Sequence, residues 1–384
     1  MHISVERPAC KLWRGFSFSF KLSPLPSVRG HWILLLAAVL LLGSCATAPN
    51  ENTLTIIDTN VPVEDSSASV ENTPIPFEDA PDTVDVNSLP AEGGGKETVE
   101  MLFGGDVTLT WGYLELVPDP YRDIKWPFRR LEKAFSEMDV VMVNCETAIT
   151  NSGNAVEKQF NFRMDPALVP AFSESGINIV NLANNHVFDY GPEGLADTLA
   201  ALDSAGVRHV GAGMTLSEAR EPVFMDIKGR RVAFLGYGNY SPAERDKPGV
   251  AYRYAGHVQR DIRKAKSRGA DIVVVNFHWG IELETEPQES DRELAYLAID
   301  NGADVVIGHH PHVLQPVEVY KGKVIAFSLG NFVFGGNSKR PRDSMLLHVS
   351  VDGENTVSYN IVNIRIDPQE TLYQPYITDI VAGK

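Results

Sequence analysis

Cysteine is nearly absent from this 384-residue chain, which has three, Cys10, Cys45 and Cys145. Cys10 lies in a basic leader and Cys45 follows a signal-like segment, so no pair remains for a structural disulfide. Cys145 sits in an apolar run beside Glu146 and reads as a small buried hydrophobe rather than a nucleophile. Long apolar runs are missing too. The longest, residues 32–42, falls short of the roughly 20 residues that a spanning helix needs. Positive charge is in deficit, with 34 Lys and Arg against 50 Asp and Glu and a net charge of −16. That balance argues against nucleic acid as a partner. No internal repeat is visible.

What is present begins with an address. Arg7, Lys11, Arg14, Lys21 and Arg29 precede the apolar stretch, which has the length of a signal-peptide core. It closes in Leu42-Gly43-Ser44-Cys45, similar to a bacterial lipoprotein signal. Residues 1–44 are therefore expected to be a signal peptide, with Cys45 the lipidated first residue of the mature chain. An ordinary signal peptide or an uncleaved anchor is the alternative. More than one acyl chain gives stable membrane anchoring, where a single chain binds marginally. Ala46 leaves sorting to an outer membrane open, so the expected location is exported and lipid-anchored on the cell membrane or an outer membrane. Residues 45–98 read as an acidic tether with one basic residue, Lys96, and the run Gly93-Gly94-Gly95. Too little apolar surface is available there to offset the entropy of ordering. Like charge extends such a chain, over about fifty residues, to several nanometres.

Residues 99–384 are enough for one large domain with a substantial core. Short apolar runs alternate with amphipathic stretches. Strands are predicted over 99–104, 140–144, 177–182, 272–277 and 305–307, and helices over 127–138, 166–175, 194–205, 261–268 and 291–301. Hairpins are predicted over 223–236, 317–329 and 345–366. This order implies an α/β fold of two packed sheets flanked by helices.

The residues just past the strands share one chemistry. In order they are Asp106 after Gly104-Gly105, Glu146 after Asn144-Cys145, Asn185-His186, then His278, then Gly308-His309-His310-Pro311-His312. Ligands of open α/β sheets bind at the carboxyl ends of strands. Mixed oxygen and imidazole donors suit Mn, Fe or Zn better than Ca or Mg. About six donors exceed one tetrahedral site and fit one or two divalent ions, two such ions lying about 3.5–4 Å apart. Each residue has a duller alternative: a turn cap for Asp106, a strand-end carboxylate for Glu146, a helix cap for Asn185, a core histidine for His278. Asp189 either orients His186 or serves the turn before Tyr190-Gly191. Alternation along a strand turns His309 away from the side that His310 and His312 share. Lys158 and Arg163 either meet an anionic substrate or lie on a solvated face.

Gly104-Gly105-Asp106, Asn144-x-Glu146, Leu182-Ala183-Asn184-Asn185-His186-x-x-Asp189-Tyr190-Gly191, His278-Trp279-Gly280-x-Glu282, Gly308-x-His310-Pro311-His312 and Ser328-Leu329-Gly330-Asn331-Phe332 occur in this order. Together they resemble the signatures of the bacterial capsule-synthesis family CapA, named for poly-γ-glutamate capsule production, over essentially all of residues 99–365. That family is similar in turn to calcineurin-like metallophosphoesterases. The resemblance implies a four-layer α/β/β/α sandwich with two mixed sheets. It places Asp106 and His312 on one metal, Asn185, His278 and His310 on a second, and Glu146 between them. It makes His186 the residue that protonates a leaving group or steadies a transition state, with Asp189 behind it. Trp279, Glu282 and Asn331, with Arg163, are carried as candidates for substrate contact. The chain departs from the phosphoesterase pattern at two positions. Thr108 stands where a histidine is expected two residues after the first Asp, and Glu146 replaces an Asp. The first metal site is therefore one ligand short, and a single metal on the Asn185, His278, His310 side stays open.

The resemblance implies a metal-dependent hydrolase or transferase acting on an anionic extracellular polymer such as poly-γ-glutamate, or on its precursor. Membrane capsule-synthesis proteins are its expected partners. Alternatives are a non-catalytic export or attachment component that keeps a binding cleft, and a scavenging phosphoesterase.

Overall fold

The computed structural model describes residues 97–334 and 342–383. The leader, Cys45 and nearly all of the tether fall outside the described residues, which all belong to one compact unit, Phe77–Lys384. No helix among them is long and apolar enough to cross a membrane.

Among the described residues, fourteen strands build two large sheets. In chain order they are β1 (Val99–Thr108), β2 (Val140–Cys145), β3 (Ile179–Asn181), β4 (Arg208–Val210), β5 (Val223–Ile227), β6 (Arg230–Tyr237), β7 (Ile272–His278), β8 (Val305–His309), β9 (Val317–Tyr320), β10 (Lys323–Ala326), β11 (Asn331–Phe334), β12 (Asp343–Val351), β13 (Val357–Arg365) and β14 (Tyr376–Ala382). The first sheet runs β14-β13-β12-β1-β2-β3-β4, with β11 also pairing β1, and the second runs β9-β10-β8-β7-β6-β5. Both are mixed. In the first, β1 to β4 are parallel and the last three strands antiparallel. In the second, β6, β7, β8 and β10 are parallel between antiparallel edges.

Period-two alternation divides the apolar residues among three cores. Met101, Phe103, Met142, Val274 and Ile307 fill the space between the sheets. Leu102, Val141, Val143 and Val180 face outward against the helix α1 (Gly191–Ser204) and the segment Trp126–Ser136. Val273, Val275 and Val306 face outward against α2 (Ala255–Ser267) and α3 (Glu289–Asp300). The expected α/β/β/α sandwich is present. Central strands bury both faces, which is why they read as unbroken apolar runs. Each fully buried Phe or Val contributes about 1.5–3 kcal/mol. Helix α2 buries Val258, Asp261, Ile262 and Ala265, one face at helical spacing, and carries Lys264 and Lys266 in its last turn, where the helix dipole favours cations.

The predicted strand over 324–329 stops at Ala326, and a further strand that was not predicted begins at Asn331. The chain leaves the second sheet after β10, crosses through Phe327-Ser328-Leu329-Gly330, and enters the first sheet as β11, parallel to the end of β1. The crossing constrains Gly105. A Cβ there would lie 1.9 Å from the Gly330 carbonyl oxygen, and the neighbouring Asp106 amide donates to that same oxygen at 3.0 Å. Gly105→Ala should therefore destabilise by at least about 2–3 kcal/mol, as overpacking against rigid backbone does, read as a lowered midpoint in urea. An unchanged midpoint would show that β1 and β11 separate freely.

Candidate metal centre

The parallel strands of both sheets end at one side of the sandwich, and their last residues converge. Asp106, Asn144, Glu146 and His278 are fully buried there. One amide organises them: Asn144 Nδ2 donates to Asp106 Oδ1 at 2.8 Å and to Glu146 Oε2 at 3.3 Å, and lies 3.4 Å from His278 Nδ1. Its own Oδ1 accepts from Asn181 Nδ2 at 2.9 Å and Asn184 Nδ2 at 3.3 Å. Asn184 Oδ1 accepts the amides of His186 and Val187 at 3.0 and 2.9 Å, which shapes the turn that carries Asn185 and His186.

Candidate donor atoms of Asp106, Glu146 and His278 all lie within 4.8 Å of one another, and so do those of Glu146, His310 and His312. Glu146 belongs to both groups, the position of a bridging carboxylate. His312 lies 3.0 Å by Nδ1 from Asp106 Oδ2 and 3.6 Å by Nε2 from Glu146 Oε1. His278 Nε2 is 2.8 Å from Asn185 Oδ1 and 3.7 Å from Glu146 Oε1. His310 and His312 reach the cluster from φ values of +99° and +57°. Such backbone costs an L-residue about 1–3 kcal/mol and persists where function or packing fixes it. A set of buried carboxylate and imidazole donors with this spacing fits one or two divalent cations.

Beside the cluster, His186 Nδ1 meets Asp189 Oδ2 at 2.7 Å. Asp189 also accepts the Phe162 amide at 2.6 Å and pairs with the Lys158 ammonium. Phe162 stacks on the His186 ring at 4.0 Å. These residues open on a cleft of about 350 Å³ lined by Lys158, Phe160, Asn185, Tyr240, Glu282 and His312 among others.

Residues 100–336 match the family described as bacterial capsule synthesis protein PGA_cap, more than half of the chain. The chain belongs to this capsule-synthesis family. It is 36% identical over 246 residues to the PGA biosynthesis protein CapA of Bacillus subtilis, covering 62% of this chain and 64% of that one. It is 33% identical over 281 residues to the capsule biosynthesis protein CapA of Bacillus anthracis, covering 70% and 68%. The chain thus spans just under two thirds of the Bacillus subtilis protein. Among solved structures it is similar to a 5′-nucleotidase from Candida albicans, with 12% identity, a TM-score of 0.41, and coverage of 72% of this chain and 53% of that one.

Of the residues singled out in this family member's sequence, Asp106, Glu146, Asn185, His186, Asp189, His278, His310 and His312 come together. Others do not behave as expected. His309 was expected to face away, yet its Nδ1 is 3.6 Å from Asp106 Oδ1. It is the last residue of β8 and shares the inter-sheet face with Val305 and Ile307, so alternation aims it at β1. His310 and His312 lie beyond the strand, where the positive φ values end the alternation. Trp279 is not in the cleft. It continues the outward face of Val273, Val275 and Phe277, stacks on Phe277, and donates its indole N–H to Phe327 O at 2.9 Å. Arg163 is held by its own fold, with the guanidinium over the Tyr190 ring and donating to the Ser152 and Gly153 carbonyls. Lys158 takes the place beside the cleft instead. Asn331 Oδ1 contacts His312 Nδ1 at 2.8 Å, so it orients an imidazole. Cys145 is buried, and burial next to Glu146 pushes its thiol up to about 12, too high for a nucleophile.

Electrostatics favour ligation. Burial alone would raise the Asp106 carboxyl, but contacts with His312, His309 and Asn144 bring it down to about 2. Burial lowers His309 and His310 to about 4, His278 well below the usual histidine range, and His186 also, the last against the pull of Asp189. Near neutral pH all four are unprotonated, as a metal ligand must be. Because the unfolded chain takes up the protons of His309 and His310 near 6.5 and the folded one about 4, with His186 and His278 lowered in the same direction, folded stability is complete above 6.5 and falls as pH drops toward 4. Melting the metal-free protein between pH 7.5 and 4 should show a loss of a few kcal/mol in that window. A flat profile would mean that these imidazoles charge in place.

Proposed function

We propose that the protein is an exported, lipid-anchored, metal-dependent hydrolase or transferase of an anionic extracellular polymer such as poly-γ-glutamate, or of its precursor. The observation that carries this reading is the buried carboxylate–imidazole cluster placed directly beside the His186–Asp189 pair, with Lys158 at the mouth of the cleft. Membership of the capsule-synthesis family supports the polymer. Anchoring rests on the Leu42-Gly43-Ser44-Cys45 segment, with the acidic tether holding the domain off the membrane and membrane capsule-synthesis proteins as partners.

Asp106, Glu146, Asn185, His278, His310 and His312 would hold the cation or cations. Bound there, a divalent ion supplies Lewis acidity, polarising a substrate oxygen and lowering the pKa of water toward neutrality. The chain's own residues do the rest. Asp189, as a carboxylate, accepts the Nδ1 proton of His186 and so leaves a lone pair on Nε2. In that tautomer His186 Nε2 takes up a proton from solvent water and then gives it to the leaving group as general acid. Lys158 offers an anionic chain a cation, and Tyr240 Oη, 3.2 Å from His310 Nε2, closes one side of the cleft. Thr108, without a histidine, favours the second reading, a polymer-binding component that has given up catalysis.

The test is to purify the full chain, count bound metal, and follow the length of poly-γ-glutamate alongside the hydrolysis of a generic phosphoester. Shortening or transfer of the polymer in the presence of Mn²⁺ or Zn²⁺ is expected. Polymer binding by metal-free protein, with no turnover after metal is restored, would select the second reading. Turnover of the phosphoester alone would select a phosphoesterase.

A further inference from the structure

The sequence leaves the Asp106 side of the centre one ligand short, because Thr108 occupies the position of the missing histidine. Thr108 is fully buried on β1, on the same face as Asp106, and its hydroxyl has no hydrogen-bond partner in the structure. Across the gap between the sheets stands His309, 2% exposed, at the end of β8. Neither of its ring nitrogens has a hydrogen-bond partner. An imidazole buried in this way costs on the order of 1–3 kcal/mol unless something occupies it. Its Nδ1 lies 3.6 Å from Asp106 Oδ1. That is too long for a hydrogen bond. It is close to the separation of roughly 3.0–3.4 Å between two donors that share one cation at bond lengths near 2.0–2.1 Å. The same Asp106 carboxylate offers its other oxygen to His312 Nδ1 at 3.0 Å.

We infer that His309 is a metal ligand, supplying through Nδ1, from the second sheet, the imidazole that position 108 does not supply from the first. Resting on the reading of the cluster as a metal centre, this adds His309 to the Asp106 and Glu146 carboxylates on the side that position 108 leaves short, with His312 Nδ1 3.0 Å from Asp106 Oδ2. The chain then holds two cations, not one. Neutral imidazole at the end of a rigid strand is a good ligand for Mn, Fe or Zn, and the inter-sheet core behind it (Val305 and Ile307) fixes its direction.

The experiment loads the purified full chain with Co²⁺ and measures ions per chain by elemental analysis after dialysis, together with the visible absorption of the bound cobalt. Two ions are expected for the native protein and one for His309→Ala, with at least a tenfold weaker affinity for the second and loss of its share of the cobalt spectrum. His309→Gln, which keeps the volume, should behave in the same way and guards against a folding defect. The double variant Thr108→His with His309→Ala should regain the second ion, which a mere packing role for His309 would not predict. Two ions bound to both single variants with native affinity would overturn the inference and leave the metal centre standing. One ion on the native chain, unaffected by either single variant, would overturn it also. No cobalt on the native chain would overturn the metal reading together with it.

Discussion

Glu146→Gln should leave the domain folded and abolish tight metal binding at the whole centre. Glu146 is the one residue common to both groups of donors, so without it each group of three keeps only two. Glutamine keeps the shape and loses the charge. Losing one anionic ligand from a centre of three or four donors should cost on the order of 10³-fold in affinity, about 4 kcal/mol. The metal-free protein should respond in the opposite direction. Asp106 and Glu146 are both buried at 0% exposure, and a single Asn144 amide serves both carboxylates. Removing one of two neighbouring negative charges relieves repulsion, so the metal-free variant should melt at or above the native temperature while losing the rise that metal gives the native protein. Thermal melts with and without Mn²⁺, paired with calorimetric titration, read both effects. Native metal affinity in Glu146→Gln would remove this carboxylate from the centre.

The second large effect concerns proton transfer. If the proposed polymer hydrolase or transferase activity holds, His186→Ala should lower its kcat by roughly 10²–10⁴, the usual contribution of a positioned acid–base group, with bound metal unchanged because Asp189 holds His186 by Nδ1 beside the cluster. Asp189→Asn should cost about 10–100-fold, since Asp189 acts by holding the ring and its Nδ1 proton through the 2.7 Å contact. The acid limb of the rate profile should fall below the ordinary histidine range, because burial lowers His186 more than Asp189 raises it. Full turnover in His186→Ala would end its proton role. Loss of metal in that variant would make His186 a ligand instead.

Much of the architecture was legible because apolar runs and their breakers are local signals. The strands at 140–145, 272–278 and 305–309 fall within one or two residues of their predicted bounds. Helix α2 begins six residues before its predicted start, since Ala255 to Arg260 carries only one core residue, Val258. The crossing from β10 to β11 was not legible, because Ser328-Leu329-Gly330 continues a strand-like run while the chain changes sheets. Asn144, Asn181 and Asn184 also escaped notice as a set. Nothing local distinguishes three strand-end amides until the parallel register brings them to one carbonyl oxygen.

By itself the sequence determined which residue types could bind metal and that strands would deliver them, since a donor's chemistry and its place after an apolar run are both local properties. Tertiary structure alone decided direction. It turned Trp279 into the core, tied Arg163 to Tyr190, gave Asn331 to His312 and aimed His309 at Asp106. Side-chain direction depends on which face of a strand meets the other sheet, and that is set only when the two sheets pack.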